Sequence, residues 1–332
     1  MDEKGFLTYN QQMRKLRDDK GIVCKGSIDK KILVQNGYFN LVNGYKTPFI
    51  TGIDKEGVHK YIPETSIKQM YSLKRFDDNL RIELLSVITQ VEEELRSLTA
   101  YKFDSINNNG DIPWYSIEAY SPRCTLKNKM DTISKAYSEL SRSHLDYVKY
   151  YMENHKQIPT WIMLKAVNFS TFIDILGYSK RSVPHSICLL FGLIDEDGHP
   201  DVKLLIGSVH WMRKIRNACA HNERIYTISD SGRISNRYFE LLGKGYTRAK
   251  EKRVFDLLVY LKYYLSQKDF KKTVGKIKSM LLELENWLNP NSFDYVRAQL
   301  GIKKIEDLAR LVSIPKDDAE YCKFDKIANN EF

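Results

Sequence analysis

The sequence predicts an all-α protein: a helical bundle with a smaller N-terminal region of short helices and loops. Apolar residues recur at three- and four-residue steps through most of the chain, most clearly between Ile67 and Leu98, which is the spacing of one buried helix face. Clusters of Gly, Pro and Asn fall between these periodic stretches and mark the connections. The 42% apolar and 28% charged shares suit a soluble globular chain, and 332 residues suffice for one large core or two domains. The boundaries expected from these breaks are an N-terminal region over 1–64, a helical core over 65–290, and C-terminal helices with a polar tail over 291–332.

In chain order, Thr8 to Lys20 and Asp29 to Asn36 read as short amphipathic helices, the second closed by Gly37. The stretch GYFNLVNGYKTPF follows. Its Tyr38, Phe39 and Tyr45 are expected to bury against the helices, with base stacking beside Lys30, Lys31 and Lys46 as the alternative. Thr47 to Thr65, rich in Gly and Pro, is expected as a loop or small hairpin. One long helix, with room for a kink, is expected from Ser66 to about Phe103, with Arg81, Glu83, Glu92, Glu93, Glu94 and Arg96 at its wetter positions. Glu92 and Glu93 are also placed to bridge a basic partner helix. After an Asn/Gly-rich loop, helices are expected from Asp131 to Asn154 and from Pro159 to Gly177, and His144 reads as a core or edge histidine. SDSGRISNR reads as a polar turn, and LLGKGYTRAKEKR as a mobile basic loop interleaved with Tyr246. Helices over Val254–Ser266, Lys271–Leu288, Phe293–Leu300 and Ile305–Val312 close the chain before the polar tail.

The stretch WMRKIRNACAHNERIY, Trp211 to Tyr226, carries the candidate chemistry. It has no Gly or Pro and keeps helical spacing from Ser208 to Tyr226. Trp211, Met212, Ile215, Ala218 and Cys219 fall on one face; Arg213, Arg216, Asn217, Ala220 and His221 fall on the other. Asn217 and His221 are four apart, so the amide is positioned to orient the imidazole. Arg216, Asn217 and His221 are therefore the candidate catalytic residues. Small residues between them would let a second helix approach closely.

Charge points to a partner. From Lys203 to Lys278 there are 18 Lys or Arg against 6 Asp or Glu, a balance of +12 that exceeds the +10 of the whole chain. A field of that sign attracts polyanions, although a charge run also fits a solvated helix face. The candidate nucleic-acid contacts are Arg213, Lys214, Arg224, Lys244, Arg248, Lys250, Lys252 and Arg253, with Lys30, Lys31 and Lys46 from the N-terminal region. Five widely spaced cysteines outside any C-x-x-C pair signal neither disulfides nor zinc. The longest apolar run, Ile187 to Ile194, is too short to cross a bilayer, and the N-terminus has no signal-peptide pattern, so a cytoplasmic protein is expected. P-loop, G-x-G-x-x-G, H-E-x-x-H and G-x-S-x-G motifs are absent, and no carboxylate cluster suggests a metal or other cofactor.

The string RNACAHNER resembles the Arg-x4-6-His signature of the HEPN nuclease superfamily, in the form carried by bacterial Abi-like abortive infection proteins of the AbiD and AbiF type. SHLDYVKYY, IPTWIMLKAVNFSTF, FGL and the N-terminal Gly-Tyr segment are similar in order, so the likeness runs from about Leu7 to Tyr226 and less clearly to Trp287. Lys165 and Ser170 depart from it, standing where the family usually has a Glu before a small-residue turn. The resemblance implies an all-α HEPN core and a symmetric homodimer through the RNxxxH helix. It further implies a toxin that arrests growth during phage infection, controlled by a structured non-coding RNA antitoxin. The residues suit metal-independent RNA cleavage: His221 moves the proton of a ribose 2′-hydroxyl or a leaving oxygen, Arg216 neutralises the phosphate, and Asn217 holds the ring or a phosphate oxygen. The expected product is a 2′,3′-cyclic phosphate. A non-catalytic RNA-binding protein on the same scaffold is the alternative; a helical DNA-binding regulator ranks last for want of a helix-turn-helix.

Overall fold

A computed structural model describes residues 5–55 and 57–316, and over these the chain is all-α with two small two-stranded antiparallel sheets. The polar tail expected after Val312, with Cys322, lies almost entirely outside the described residues. Helix α1 (Tyr9–Arg14) opens with a capping box between Thr8 and Gln11 and continues as a π-helical turn to Asp19. Helix α2 (Gly26–Asn36) starts three residues earlier than expected because the buried Asp29 carboxylate accepts the Lys25 N–H at 2.7 Å. The Gly/Pro-rich stretch forms the hairpin of β1 (Ile50–Ile53) and β2 (His59–Tyr61).

Helix α3 (Ile67–Ile106) is the axis of the molecule. Ser66 caps it: its hydroxyl accepts the Gln69 N–H, and the Gln69 side chain accepts the Ser66 N–H at 2.9 Å. Forty residues at 1.5 Å rise span about 60 Å. The stability of α3 comes chiefly from packing of its apolar face rather than from helix propensity. Leu73, Leu80, Leu84, Ile88 and Leu95 are fully buried, each contributing roughly 1.5–3 kcal/mol of transfer free energy. Arg81, Glu83 and Glu92, expected at wet positions, are buried as well, because helices arriving later in the chain cover that side of α3.

The expected 131–154 helix is two, α4 (Leu126–Ser141) and α5 (Asp146–Asn154), separated by a turn in which the Ser143 hydroxyl accepts the Leu145 N–H. His144 sits in that turn and is exposed, so it is not on a core stripe. The 159–177 helix likewise divides into α6 (Thr160–Ala166) and α7 (Phe169–Tyr178). The cause is Glu139 of α4, which accepts the Asn168 N–H and the Thr171 hydroxyl, each at 2.7 Å, and so caps α7 from another helix. Glu139→Ala is expected to lower stability by about 1–2 kcal/mol through loss of this cap, read as a shift in the urea midpoint; an unchanged midpoint would show the cap to be idle.

Helix α8 (Ser182–Phe191) and a short turn lead to α9 (Val202–Ala220), which packs on α3, α7, α8 and a later helix. Helix α9 begins six residues before the expected Ser208, capped by Asp201, and Gly207 lies inside it. Ile234 presses so closely there that a Cβ on Gly207 would fall 1.9 Å from its Cδ1. The basic stretch is not a free loop. It holds α10 (Arg237–Leu242) and α11 (Lys244–Thr247), with β3 (Asp230–Ser231) pairing to β4 (Glu251–Lys252). Tyr246 is buried, stacks on Phe255 and donates its hydroxyl to Asp307 at 2.5 Å.

Helices α12 (Val254–Tyr264), α13 (Gln267–Glu285), α14 (Pro290–Leu300) and α15 (Glu306–Ser313) complete the bundle, and a buried apolar cluster extends from Met13 to Ile314. Lys262 is fully buried in α12 and donates to the Leu311 and Ile314 carbonyls at 2.9 and 2.8 Å, closing the end of α15. Burial brings its ammonium down from 10.5 to about 8. Between those values the unfolded chain holds the proton that the folded protein has released, so this group's contribution to stability rises with pH. Wild type is expected to gain on the order of 1–2 kcal/mol relative to Lys262→Met between pH 8 and pH 10 in urea unfolding. A pH-independent difference would contradict it.

Candidate functional site

The site is built where α9 stops. His221 is its C-cap, with φ −92° and ψ 10°, and donates its N–H to the Asn217 carbonyl at 3.0 Å. Asn222 adopts the left-handed conformation at φ 55°. The Asn222 N–H donates to Cys219 O and the Glu223 N–H to Ala218 O, the Schellman arrangement, with Asn in place of the usual Gly. The helix expected through Tyr226 therefore ends at Ala220, and the imidazole projects from a turn, exposed to solvent.

A buried carboxylate holds this turn. Asp77 of α3, fully buried, accepts the N–H groups of Ile225 (3.1 Å) and Tyr226 (2.8 Å), the Tyr45 hydroxyl (2.9 Å) and Arg81 Nη1 (3.0 Å). Arg81 also donates to the Glu223 carbonyl at 3.1 Å. Burial pushes the Asp77 carboxyl up, and the donors from Tyr226, Tyr45 and Arg81 pull against it. Sequence reasoning missed Asp77. Its signal was present: a carboxylate four residues after Leu73 and three before Leu80 occupies an apolar stripe, with Arg81 a turn away.

His221 lines a cleft of about 920 Å³ with Phe39, Asn43, Lys74, Ile82 and Arg224. Phe39, expected to bury, is exposed; Tyr45 is buried as expected, stacked 6.1 Å from Tyr226, and Tyr38 is half-buried. Cys219 shares the cleft, but burial pushes its thiol up to about 12, so it stays protonated and offers no nucleophile beside the imidazole.

Arg216 lines a second cleft, about 800 Å³, with Glu92, Arg96, Tyr101, Trp161 and Lys165. Its Nε lies 3.5 Å from Glu92 Oε2, while Arg96 takes Oε1 at 2.7 Å. Glu92 thus bridges α3 to α9. Asn217 does not orient the ring: its Oδ1 accepts from Arg216 Nη1 at 3.2 Å, and among the described residues no hydrogen bond joins it to the imidazole. Within one chain the three residues share a helix end, yet Arg216 and His221 face different clefts.

The expected RNA contacts are scattered. Arg224 borders the His221 cleft, donating to the Gly44 carbonyl and to Thr227. Lys214 is exposed and donates to Ser229 O; Arg213 is half-buried, its Nε in the interior with no hydrogen-bond partner among the described residues. Lys244, Arg248 and Lys250 are exposed, but they and Arg253 line neither cleft. Lys252 is only 8% exposed, 5.6 Å above the Trp211 ring and 3.9 Å from Asp230, so its ammonium serves packing rather than a free phosphate site. Arg253 is held by Gln299 and Glu251, each at 2.9 Å. On the N-terminal side Lys31 is exposed and Lys30 and Lys46 are half-buried; none of them lines either cleft. Asp195, Asp197 and His199, which stand within the five-residue string DEDGH and were not read as a cluster from the sequence, bring ligand atoms within 4.8 Å of one another. All three are exposed, and Asp195 already accepts the N–H groups of Asp197 and His199.

Among the described residues, no helix is long and apolar enough to cross a membrane. The model of a family described as Abi-like protein matches residues 31–227, more than half of the chain, and that span includes Asp77, Arg216, Asn217 and His221. No curated protein and no solved structure matches the chain.

Proposed function

Because the chain belongs to the Abi-like protein family, an assignment that implies abortive infection and phage defence, we propose that it is a toxin-type, metal-independent endoribonuclease of the HEPN kind. The observation that carries this reading is His221: exposed, unpaired by any described side chain, and set in a cation-bordered cleft on a turn held by a buried carboxylate. Such an imidazole is carried on a fixed turn and stays open to a substrate, which is the placement a proton-transfer group needs.

In the proposed reaction a ribose 2′-oxygen attacks the adjacent phosphorus and the bond to the 5′-oxygen breaks, leaving a 2′,3′-cyclic phosphate and a 5′-hydroxyl. His221 accepts the 2′-hydroxyl proton or delivers one to the leaving oxygen. Arg216 neutralises the charge gathering on the phosphoryl oxygens. The nucleophile belongs to the substrate, so DNA is refused. With one such histidine per chain, a second copy supplies the other proton-transfer group across a two-fold axis. The excess of cations between Lys203 and Lys278 lies largely outside both clefts, which suits a structured RNA bound elsewhere as antitoxin.

A non-catalytic RNA-binding role is the second reading, favoured by the Glu92 pairing of Arg216 and its separation from His221. Incubating the purified protein with single-stranded RNA in EDTA distinguishes them. Fragments ending in 2′,3′-cyclic phosphate support the enzyme; binding without fragments supports the alternative.

A further inference from the structure

The two clefts share one wall. Lys74, Asp78, Ile82 and Leu85 of α3 line the His221 cleft, and Thr89, Glu93, Ser97 and Tyr101 of α3 line the Arg216 cleft. Those positions follow one another in steps of four with a single step of three, so they form a stripe that winds about half-way round the helix between Lys74 and Tyr101. Leu85, the last α3 residue of the first cleft, and Thr89, the first of the second, are one turn or about 6 Å apart along the axis. From Lys74 to Ser105 the stripe spans about 46 Å.

Each half of this groove holds a large ring that the fold leaves uncovered: Phe39 is 75% exposed beside His221, and Trp161 is 51% exposed beside Arg216. Six cations line the groove against four carboxylates, and two of those carboxylates are already paired, Asp78 with Lys74 and Arg81, Glu92 with Arg96 and Arg216. An extended path with a modest positive excess and aromatic platforms spaced along it fits a polyanion that offers flat unstacked faces, which is a single nucleic-acid strand; a duplex hides those faces.

Resting on the endoribonuclease reading for its chemistry, we infer that a single RNA strand lies along this stripe of α3. A base on one side of the scissile phosphate stacks on Phe39, and a base on the other side stacks on Trp161. Phe39 and Trp161 are then positioning residues that fix which phosphate reaches His221 and Arg216. Lys244, Arg248 and Lys250 line neither cleft, so the substrate path does not include that basic surface.

The test uses the full chain carrying His221→Ala, so that RNA is bound without being cut, and fluorescence anisotropy with labelled single-stranded RNA oligomers. Affinity should climb with oligomer length and level off within the roughly 4–16 nucleotides typical of single-strand grooves. Phe39→Ala and Trp161→Ala should each weaken binding about tenfold, and Trp161→Phe should restore most of it by returning a ring. Trp287→Ala, a ring 50% exposed in a different hollow, should change nothing. Unchanged affinity in either Phe39→Ala or Trp161→Ala overturns the path, as does a Phe39→Ala protein that alters sedimentation while binding RNA normally, which would assign that ring to contact between copies. If the wild type cuts no RNA and both variants still lose affinity, the path stands and the catalytic reading fails. If the wild type cuts RNA and both variants bind as before, the reverse holds.

Discussion

Asp77→Ala is expected to destabilise the protein by about 3–5 kcal/mol and to abolish any activity that depends on His221. Four donors converge on this one carboxylate, from three separate parts of the chain: the backbone at Ile225 and Tyr226, the Tyr45 hydroxyl and Arg81. Alanine leaves the two amides and the Tyr45 hydroxyl buried and unpaired, at roughly 1–3 kcal/mol each, and takes from Arg81 one of its two carboxylates, Asp78 and the Glu223 carbonyl remaining. It also empties the space between α3, the N-terminal segment and the turn after α9. Asp77→Asn keeps the shape and part of the acceptor capacity but loses the charge opposite Arg81, so its loss should be smaller. Urea unfolding gives the stabilities, and hydrogen exchange at Ile225 and Tyr226 reads the turn directly. A midpoint change worth less than about 1 kcal/mol, or unchanged protection of those two amides, would mean that the carboxylate is not the anchor described.

His221→Ala is expected to behave in the opposite way, lowering RNA cleavage by roughly 10²–10⁴-fold with almost no effect on stability. The side chain is exposed and makes no hydrogen bond within the described residues, and the turn is held by backbone bonds and by Asp77 rather than by the imidazole. The melting temperature should therefore stay within a degree or two, while toxicity on expression disappears. Arg216→Ala should also slow cleavage, but with a structural effect as well, because it frees Glu92 from one of its two cations. A His221→Ala protein that cuts RNA at the wild-type rate ends the nuclease assignment at this residue. Comparing the two variants separates chemistry from architecture: Asp77→Ala loses both, His221→Ala loses one.

Much of the helical plan was legible in the order of residue types. Three- and four-residue apolar spacing located α3 and the helices from α12 to α15, because a periodic face is a local property that any neighbouring surface can cover. The same spacing failed at α4–α5 and α6–α7. Nothing between Asp131 and Asn154 or between Pro159 and Gly177 breaks a helix as proline does. The second break follows Glu139, a carboxylate 29 residues earlier in the chain that supplies a cap where local sequence offers no side-chain capping bond. The N-terminus of α9 was misplaced for a related reason: Gly207 reads as a helix boundary, yet it sits mid-helix where Ile234 leaves no room for a Cβ.

By itself, then, the sequence determined that the chain is helical, that its positive charge concentrates between Lys203 and Lys278, and that Arg216, Asn217 and His221 belong to one helical stretch. These are consequences of composition and of spacing within a few turns. Only the tertiary structure decided that α9 stops at Ala220, that Asn217 serves Arg216 rather than His221, that Lys252 is packed away, and that Arg216 and His221 open onto successive parts of α3. The reason is distance along the chain. Asp77 and Tyr226 are 149 residues apart and meet at 2.8 Å, and a hydrogen bond of that separation exists only once the helices between them have packed.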